Sequence, residues 1–207
     1  MRFKNRVDAG NQLAQKILKR RPDQTIVVAL PRGGVPLGLE ISNAHGILFD
    51  VVLAKKLVHP LQREFAIGAV SENCEPILNE EIDVDEKWIE EDTARVRMEI
   101  KRRRDQYNQF LTQHSLSGKD VIIVDDGIAT GMTMFAAIES VKNQNPNRIL
   151  VAVPIIPNDT NRILESMVDE VIAIEVPIHF KGAVGAYYQD FSQITDEDVE
   201  NMIVNQN

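Results

Sequence analysis

The sequence lacks several features that define whole classes of protein. Its 207 residues include one cysteine, Cys74, which excludes an internal disulfide and a multi-cysteine zinc site. No apolar run is long enough to span a bilayer, and the charged, amphipathic N-terminus lacks the apolar core and cleavage site of a secretory signal. Neither a GxGxxG pattern nor a Walker lysine is present. We therefore expect a cytoplasmic protein that makes no contact with a membrane.

Basic charge is also scarce. The chain has 23 lysines and arginines against 31 acidic residues, which gives a net charge of −8. Broad binding to nucleic acid needs many phosphate-neutralising cations, so no nucleic-acid partner is expected. The basic run at 101–104 follows a strongly acidic stretch and is better interpreted as a solvated helix face or a subunit contact. A small anionic ligand remains possible because it needs only a few local cations.

The apolar stretches that are present alternate between strand and helix patterns. Strands are predicted at 25–30, 48–53, 65–70, 121–124, 148–156 and 170–176, and helices at 7–19, 35–45, 132–142 and 158–167. This alternation is typical of an α/β fold with a doubly wound, mainly parallel sheet, and we assign residues 1–207 to a single domain. A charge-dense segment at about 83–114 predicts a helical insertion made of one long helix or two short ones.

The stretch VIIVDDGIATGMT, at 121–133, is the most informative part of the chain. Asp125 and Asp126 follow a predicted buried strand, at the sheet edge where open α/β sheets bind ligands. The turn after them leads into a helix whose first N–H groups can hold a phosphate. The alternative without a functional role is a buried strand that simply ends in polar residues. A receiver domain also has adjacent aspartates, but on its first strand and without the ATGxT that follows here.

A second informative stretch, PRGG, follows the first predicted strand. Gly33 and Gly34 allow the backbone to approach a ligand closely, and the planar fork of Arg32 suits phosphate oxygens. Short strand-to-helix connections are common, so this motif alone would more often be a plain turn.

Cations also follow the next predicted strand. Lys55 and Lys56 form either a solvated strand end or a surface that faces an anion. Residues 58–64 are polar and interrupted by proline, which favours a mobile flap that carries His59 and Arg63. Each of these two residues, taken alone, is more often an ordinary surface residue.

The aspartate pair followed by ATG and threonine resembles the phosphoribosyl-diphosphate (PRPP) signature of type I phosphoribosyltransferases. The matching positions are Asp125, Asp126, Thr130, Gly131 and Thr133. PRGG is similar to that family's pyrophosphate loop, and the lysine pair with the flap is similar to its flexible catalytic loop. The resemblance spans Thr25 to Val176, and AVGAYYQDFSQ in the tail resembles a bacterial subgroup of the family.

The resemblance implies transfer of a 5-phosphoribosyl group from PRPP to a nitrogenous base or related acceptor, with release of pyrophosphate. Asp125 and Asp126 would bind the ribose hydroxyls and stabilise the developing positive charge. The 5′-phosphate would lie on Ala129, Thr130, Gly131, Met132 and Thr133, and the diphosphate on Arg32, Gly33 and Gly34. Lys55, Lys56, His59 and Arg63 would offset the charge of the leaving group. Mg²⁺ is the expected cofactor, held mainly by PRPP and water and not by a protein cage.

The acceptor is not identified by these motifs. In the family a variable hood sets specificity, and here we expect it to be built from the N-terminal segment and the tail at 177–207. Tyr187 and Tyr188 could stack on a base, although aromatic clusters are more often core. Some purine-using members carry an acid where this chain has Ala129, which disfavours a 6-oxopurine held in that manner. A homodimer is expected, and a non-catalytic protein that binds PRPP or a nucleotide for regulation is the alternative function.

Overall fold

The computed structural model describes residues 2–18, 20–62, 65–79, 82 and 84–205, and within them the chain forms two sheets. The strands are β1 (Thr25–Ala29), β2 (Leu48–Val51), β3 (Ala54–Val58), β4 (Ala66–Ser71), β5 (Ile77–Leu78), β6 (Asp120–Val124), β7 (Arg148–Ile155) and β8 (Glu170–Glu175). The helices are α1 (Arg6–Lys16), α2 (Gly34–His45), α3 (Glu86–Tyr107), α4 (Met132–Lys142), α5 (Asn158–Met167) and α6 (Asp196–Val204). None of the described helices combines the length and the apolarity needed to cross a membrane.

The larger sheet has five parallel strands in the order β2-β1-β6-β7-β8. Both of its faces are buried, because alternate residues of the apolar strands pack against helices on opposite sides. In β1, Val27 packs with α1 and α2, whereas Ile26 and Val28 pack with α4. Complete burial of each such side chain contributes about 1.5–3 kcal/mol. The prediction of a doubly wound parallel sheet is confirmed.

The direction of the strand order reverses between β1 and β6, the two neighbouring strands at the centre of the sheet. The strand that follows β1, β2, lies on one side of the centre, whereas β7 and β8, which follow β6, lie on the other side. Such a switch point opens a crevice at the carboxyl ends of the strands. The backbone N–H of Leu30 donates to the carbonyl of Val124 over 2.8 Å, so the segments after the two strands begin side by side.

The smaller sheet is antiparallel and has the order β3-β4-β5. The sequence predicted one strand over 48–53, but the parallel strand ends at Val51 and a separate antiparallel strand then carries the two lysines. The two-residue β5 was not predicted, since it is too short for a periodicity. The predicted insertion forms one helix, α3, which begins at the cap Asp85 and packs Val96, Ile100 and Tyr107 into a core shared with β3 and β4.

The N-terminal segment and the tail contact each other. Phe3 forms an isolated bridge with Tyr188, and the rings of the two residues lie 5.2 Å apart. Helix α1 itself packs on the sheet beside α2. The N-terminal segment was predicted to form part of the hood. The residues before α1 and at its start lie against the tail, whereas the rest of α1 packs on the sheet. Helix α6 begins at a capping box formed by Thr195 and Asp198.

Candidate active site

Two carboxylates follow β6 at the central crevice. Asp125 is held by the backbone N–H of Asp126, which donates to its Oδ1 over 2.8 Å. Burial raises the pKa of Asp125 well above its usual range, and the neighbouring charge of Asp126 raises it further. Removal of two adjacent carboxylates from water is unfavourable without a ligand or a cation beside them. The arrangement is therefore suited to a partner that brings hydrogen-bond donors or positive charge.

A cation from the start of α1 meets the second carboxylate. Arg6 donates through Nε to Oδ2 of Asp126 over 2.7 Å, and both side chains are almost completely enclosed. Burial raises the pKa of Asp126, while the charge and hydrogen bond of Arg6 oppose that rise. Tyr188 donates its hydroxyl to the carbonyl of Asp126 over 2.7 Å, so the tail also holds this residue.

Arg6 was not predicted as a site residue. It lies 120 positions from Asp126 in the sequence and belongs to a helix start with no motif. Its Nη1 donates to the carbonyl of Ser192 over 2.8 Å, and its guanidinium lies 3.8 Å from the centre of the Phe191 ring. Only the folding of the tail against the N-terminus reveals this contact.

The PRGG loop lies directly against the aspartates. A Cβ atom added to Gly33 would lie 2.0 Å from Oδ2 of Asp126, and one added to Gly34 would lie 2.4 Å from the carbonyl oxygen of Val124. Side chains are therefore excluded at both glycines by close packing. Gly33 also lines, with Arg32, Arg6 and Asp126, a cavity of about 490 Å³ that is completed by Val184, Phe191, Gln193 and Ile194. We refer to it as the arginine cavity.

The loop after the aspartates forms a second cavity, of about 240 Å³. It is lined by Lys56, Asp125, Gly127, Ile128, Ala129, Thr130, Gly131, Met132, Thr133, Met134 and Val184, and we refer to it as the phosphate-loop cavity. Gly131 has φ +84° and precedes α4, where a side chain would meet Phe135 at 2.6 Å. The loop thus leads into the N-terminus of a helix, whose free N–H groups and dipole favour an anion.

The two lysines of β3 are separated. Successive residues of a strand point to opposite faces. Lys56 lines the phosphate-loop cavity, whereas Lys55 forms an ion pair with Glu99 of α3. The hydrogen bond from Lys55, together with its charge, lowers the pKa of Glu99. Of the predicted pair, the structure brings Lys56 to the aspartates and places Lys55 at the inserted helix.

Of the two predicted flap residues, His59 lies in the connection between β3 and β4. His59 accepts a hydrogen bond at Nδ1 from the N–H of Leu61 over 3.2 Å, and its ring lies edge-on to Phe65. Neither cavity described above is lined by His59. Arg63 lies outside the described residues.

The suggested stacking of Tyr187 and Tyr188 on a base is corrected by the structure. Tyr188 is 1% exposed and packs between Phe3 and Phe191, and Tyr187 is 6% exposed and stacks on Phe180. Both rings are core, because they fill the contact between the tail and the N-terminal segment. The aromatic ring that lines a cavity is that of Phe191.

These elements together can bind a ligand that has a polyhydroxyl centre and an anion at each end. The aspartates lie between the phosphate-loop cavity and the arginine cavity, and Val184 lines both. The sequence of the chain also matches a family of known proteins. The family model described as “Phosphoribosyl transferase domain” matches residues 2–190.

Individual relatives support the same assignment. The chain is 34% identical over 201 residues to the Mycobacterium tuberculosis (strain H37Rv) protein named “Putative phosphoribosyl transferase Rv0571c”, covering 95% of this chain and 45% of that protein. This chain thus spans about half the length of that relative.

Among solved structures, TT1426 from Thermus thermophilus is similar with a TM-score of 0.83 and 38% identity, covering 100% of this chain and 99% of that one. AQ2163 from Aquifex aeolicus shares the fold at a TM-score of 0.51 and 14% identity, covering 86% of this chain and 78% of that one. From the family model, which matches nearly the whole chain, we conclude that the chain belongs to the phosphoribosyl transferase domain family.

Proposed function

We propose that the protein transfers a 5-phosphoribosyl group from PRPP to a nitrogenous acceptor and releases pyrophosphate. The observation that carries this proposal is the convergence of three segments at the central crevice: the aspartate pair, the PRGG loop and the loop at 129–133. Their chemistry corresponds to the ribose, the diphosphate and the 5′-phosphate of PRPP, in that order.

The aspartates account for the ribose half of the reaction. Displacement at the anomeric carbon develops positive charge on the sugar, and enclosed carboxylates stabilise such charge more strongly than water does. Asp125 and Asp126 would accept hydrogen bonds from the 2′ and 3′ hydroxyls. The raised pKa values of both carboxyls come first from burial, and a bound sugar and its counter-ion would supply the partners that burial removes.

Phosphate groups would lie on either side of the aspartates. The N–H groups of residues 129–133, with the hydroxyls of Thr130 and Thr133, would hold the 5′-phosphate in the phosphate-loop cavity. Arg32 and the PRGG backbone would hold the diphosphate in the arginine cavity. Lys56 lines the phosphate-loop cavity beside Asp125, where its charge would help to hold the 5′-phosphate.

Magnesium is consistent with the donor set of the site. The described residues contain no group of three or more His, Cys, Asp and Glu side chains arranged to hold a metal ion. Mg²⁺ would therefore be held mainly by oxygens of PRPP and by water, which matches the preference of this ion for substrate phosphates. Bound in that way, Mg²⁺ would neutralise charge on the leaving diphosphate.

The arginine cavity would also take the acceptor. Its walls include the apolar side chains of Val184 and Ile194, which suit the faces of a planar heterocycle. The side chain at position 129 is a methyl group on an exposed residue, so it supplies no carboxylate to an acceptor. We therefore favour acceptors that need no acidic contact from this position.

The test is a screen of purified protein for PRPP-dependent release of pyrophosphate with a broad panel of nitrogenous bases, in the presence of Mg²⁺. Release with one base or a small group of related bases supports the transferase, and Asp126→Asn should abolish it. If the protein binds PRPP yet releases no pyrophosphate with any base, the regulatory alternative is supported instead. The absence of PRPP binding would overturn both functions.

A further inference from the structure

The two carboxylates are each anchored through one oxygen. Asp125 uses Oδ1 to accept from the N–H of Asp126, and Asp126 uses Oδ2 to accept from Arg6. The other oxygen of each, Oδ2 of Asp125 and Oδ1 of Asp126, accepts no hydrogen bond from another described residue. One open oxygen on each of two adjacent acids matches the two hydroxyls of a ribose.

Arg6 is itself held on three sides. Its Nε binds Asp126, its Nη1 binds the Ser192 carbonyl, and its guanidinium plane lies on Phe191. Its side chain is 12% exposed, compared with 47% for Arg2, which forms an ion pair with Glu175 at the surface. A guanidinium fixed by packing and hydrogen bonds can orient its partner, whereas an exposed ion pair contributes little.

We propose, on the basis of the function proposed above, that Arg6 is a positioning residue for PRPP: it holds Asp126 by Oδ2 so that Oδ1 faces the ribose. The tail takes part in this role, because Phe191 and Ser192 fix the guanidinium. Ribose binding is thereby linked to the docking of the tail on the N-terminal segment. Arg6 acts through Asp126 and needs no contact of its own with the sugar.

The charged and titratable groups around Asp126 are few. Asp125 is adjacent and Arg6 is bonded to it, Tyr188 donates to its carbonyl, and Arg32 lines the same cavity. Lys56 lies in the cavity on the side of Asp125. Among these, Arg6 makes the direct ion pair with the Asp126 carboxylate, and it opposes the rise in the pKa of that carboxyl.

The test is calorimetric titration of the full chain with PRPP and Mg²⁺ at one pH. Arg6→Gln should bind about 10- to 100-fold more weakly than the wild type, the effect of losing a hydrogen bond to a charged group. In a protein that already carries Asp126→Asn, Arg6→Gln should weaken PRPP binding much less, because the carboxylate that Arg6 holds is gone. Arg2→Gln is the matched control and should bind as the wild type does.

A purely structural role would weaken PRPP binding by the same factor with and without Asp126→Asn, and that result would overturn the proposal. Equal or tighter binding by Arg6→Gln would also overturn it, the latter because Arg6 would then compete with the ribose. If Arg6→Gln does not fold, Arg6→Lys carries the test: binding weaker than wild type by about threefold or more supports positioning by the fork, and equality overturns it. If the wild type does not bind PRPP, both the proposed function and this role of Arg6 are overturned. If the wild type binds PRPP and Arg6→Gln binds it equally well, only the role of Arg6 is overturned.

Discussion

Gly33→Ala offers a sharp test of the contact between the PRGG loop and the aspartates. Gly33 has φ −62° and ψ −36°, values that alanine adopts freely, so the substitution introduces no backbone strain. Alone, the change should stabilise the protein by about 0.4–1 kcal/mol, because alanine restricts the unfolded chain. The new methyl carbon would nevertheless lie 2.0 Å from Oδ2 and 2.4 Å from Cγ of Asp126.

Asp126 must therefore move, and it loses the hydrogen bond from Arg6. That bond joins two enclosed charged groups, and its loss costs about 1.5–3 kcal/mol. After subtraction of the gain from alanine, a net destabilisation of about 1–2 kcal/mol is expected, which for a domain of this size lowers the Tm by about 2–8 °C. Affinity for PRPP and Mg²⁺ should fall at least about tenfold, since the displaced carboxylate no longer faces the ribose.

The assay is a thermal melt combined with calorimetry, and Gly46→Ala is the control. Gly46 has φ +63° and no atom within 4 Å of an added Cβ, so this variant should lose about 1 kcal/mol through backbone strain and retain its PRPP affinity. A Gly33→Ala protein that is at least as stable as the wild type and binds PRPP equally well would refute the account.

Three further predictions concern the remaining parts of the site. Lys56→Ala should slow PRPP-dependent pyrophosphate release at least about tenfold. Lys55→Ala loses a partly exposed ion pair, so its rate should stay within about threefold of the wild-type rate. Equal losses of rate in the two variants would contradict the separation of the lysines. Gly131→Ala should weaken PRPP binding and lower the Tm, because it adds a side chain at φ +84° and 2.6 Å from the Phe135 ring; an unchanged melt would argue against this loop geometry. The pKa of Asp125 is raised in the folded state, so stability without ligand should fall as the pH rises from the ordinary aspartate range; Asp125→Asn should melt above the wild type at pH 8, and this advantage should disappear near pH 4.

Much of the larger sheet could be predicted from local patterns. The strand at 121–124 and the helices at 132–142 and 158–167 appear at the predicted residues, because each combines a continuous apolar pattern with a clear boundary such as Gly131. The smaller sheet was harder to predict. Its lysine-bearing strand is separated from β2 by two buried residues, Val52 and Leu53, so the sequence reads as one uninterrupted apolar run.

The candidate site also has residues that could be predicted from the sequence and residues that could not. Motif residues such as Asp125 and Gly33 could be placed because the carboxyl ends of parallel strands meet at one edge. Arg6 could not, because its role depends on the docking of the N-terminus against the tail, which no local pattern records. The burial of Tyr188 was missed for a related reason: an aromatic residue in a tail looks the same in sequence whether it faces a ligand or the core.

Asp125 and Asp126 are proposed to bind the ribose of PRPP. Calorimetric titration of PRPP with Mg²⁺ into the wild type and into the double variant Asp125→Asn with Asp126→Asn tests this role, with circular dichroism to confirm that both are folded. Binding to the wild type should be saturable, and the variant should bind at least about 100-fold more weakly, since both anionic acceptors are removed. Equal affinity for the two proteins would contradict this role.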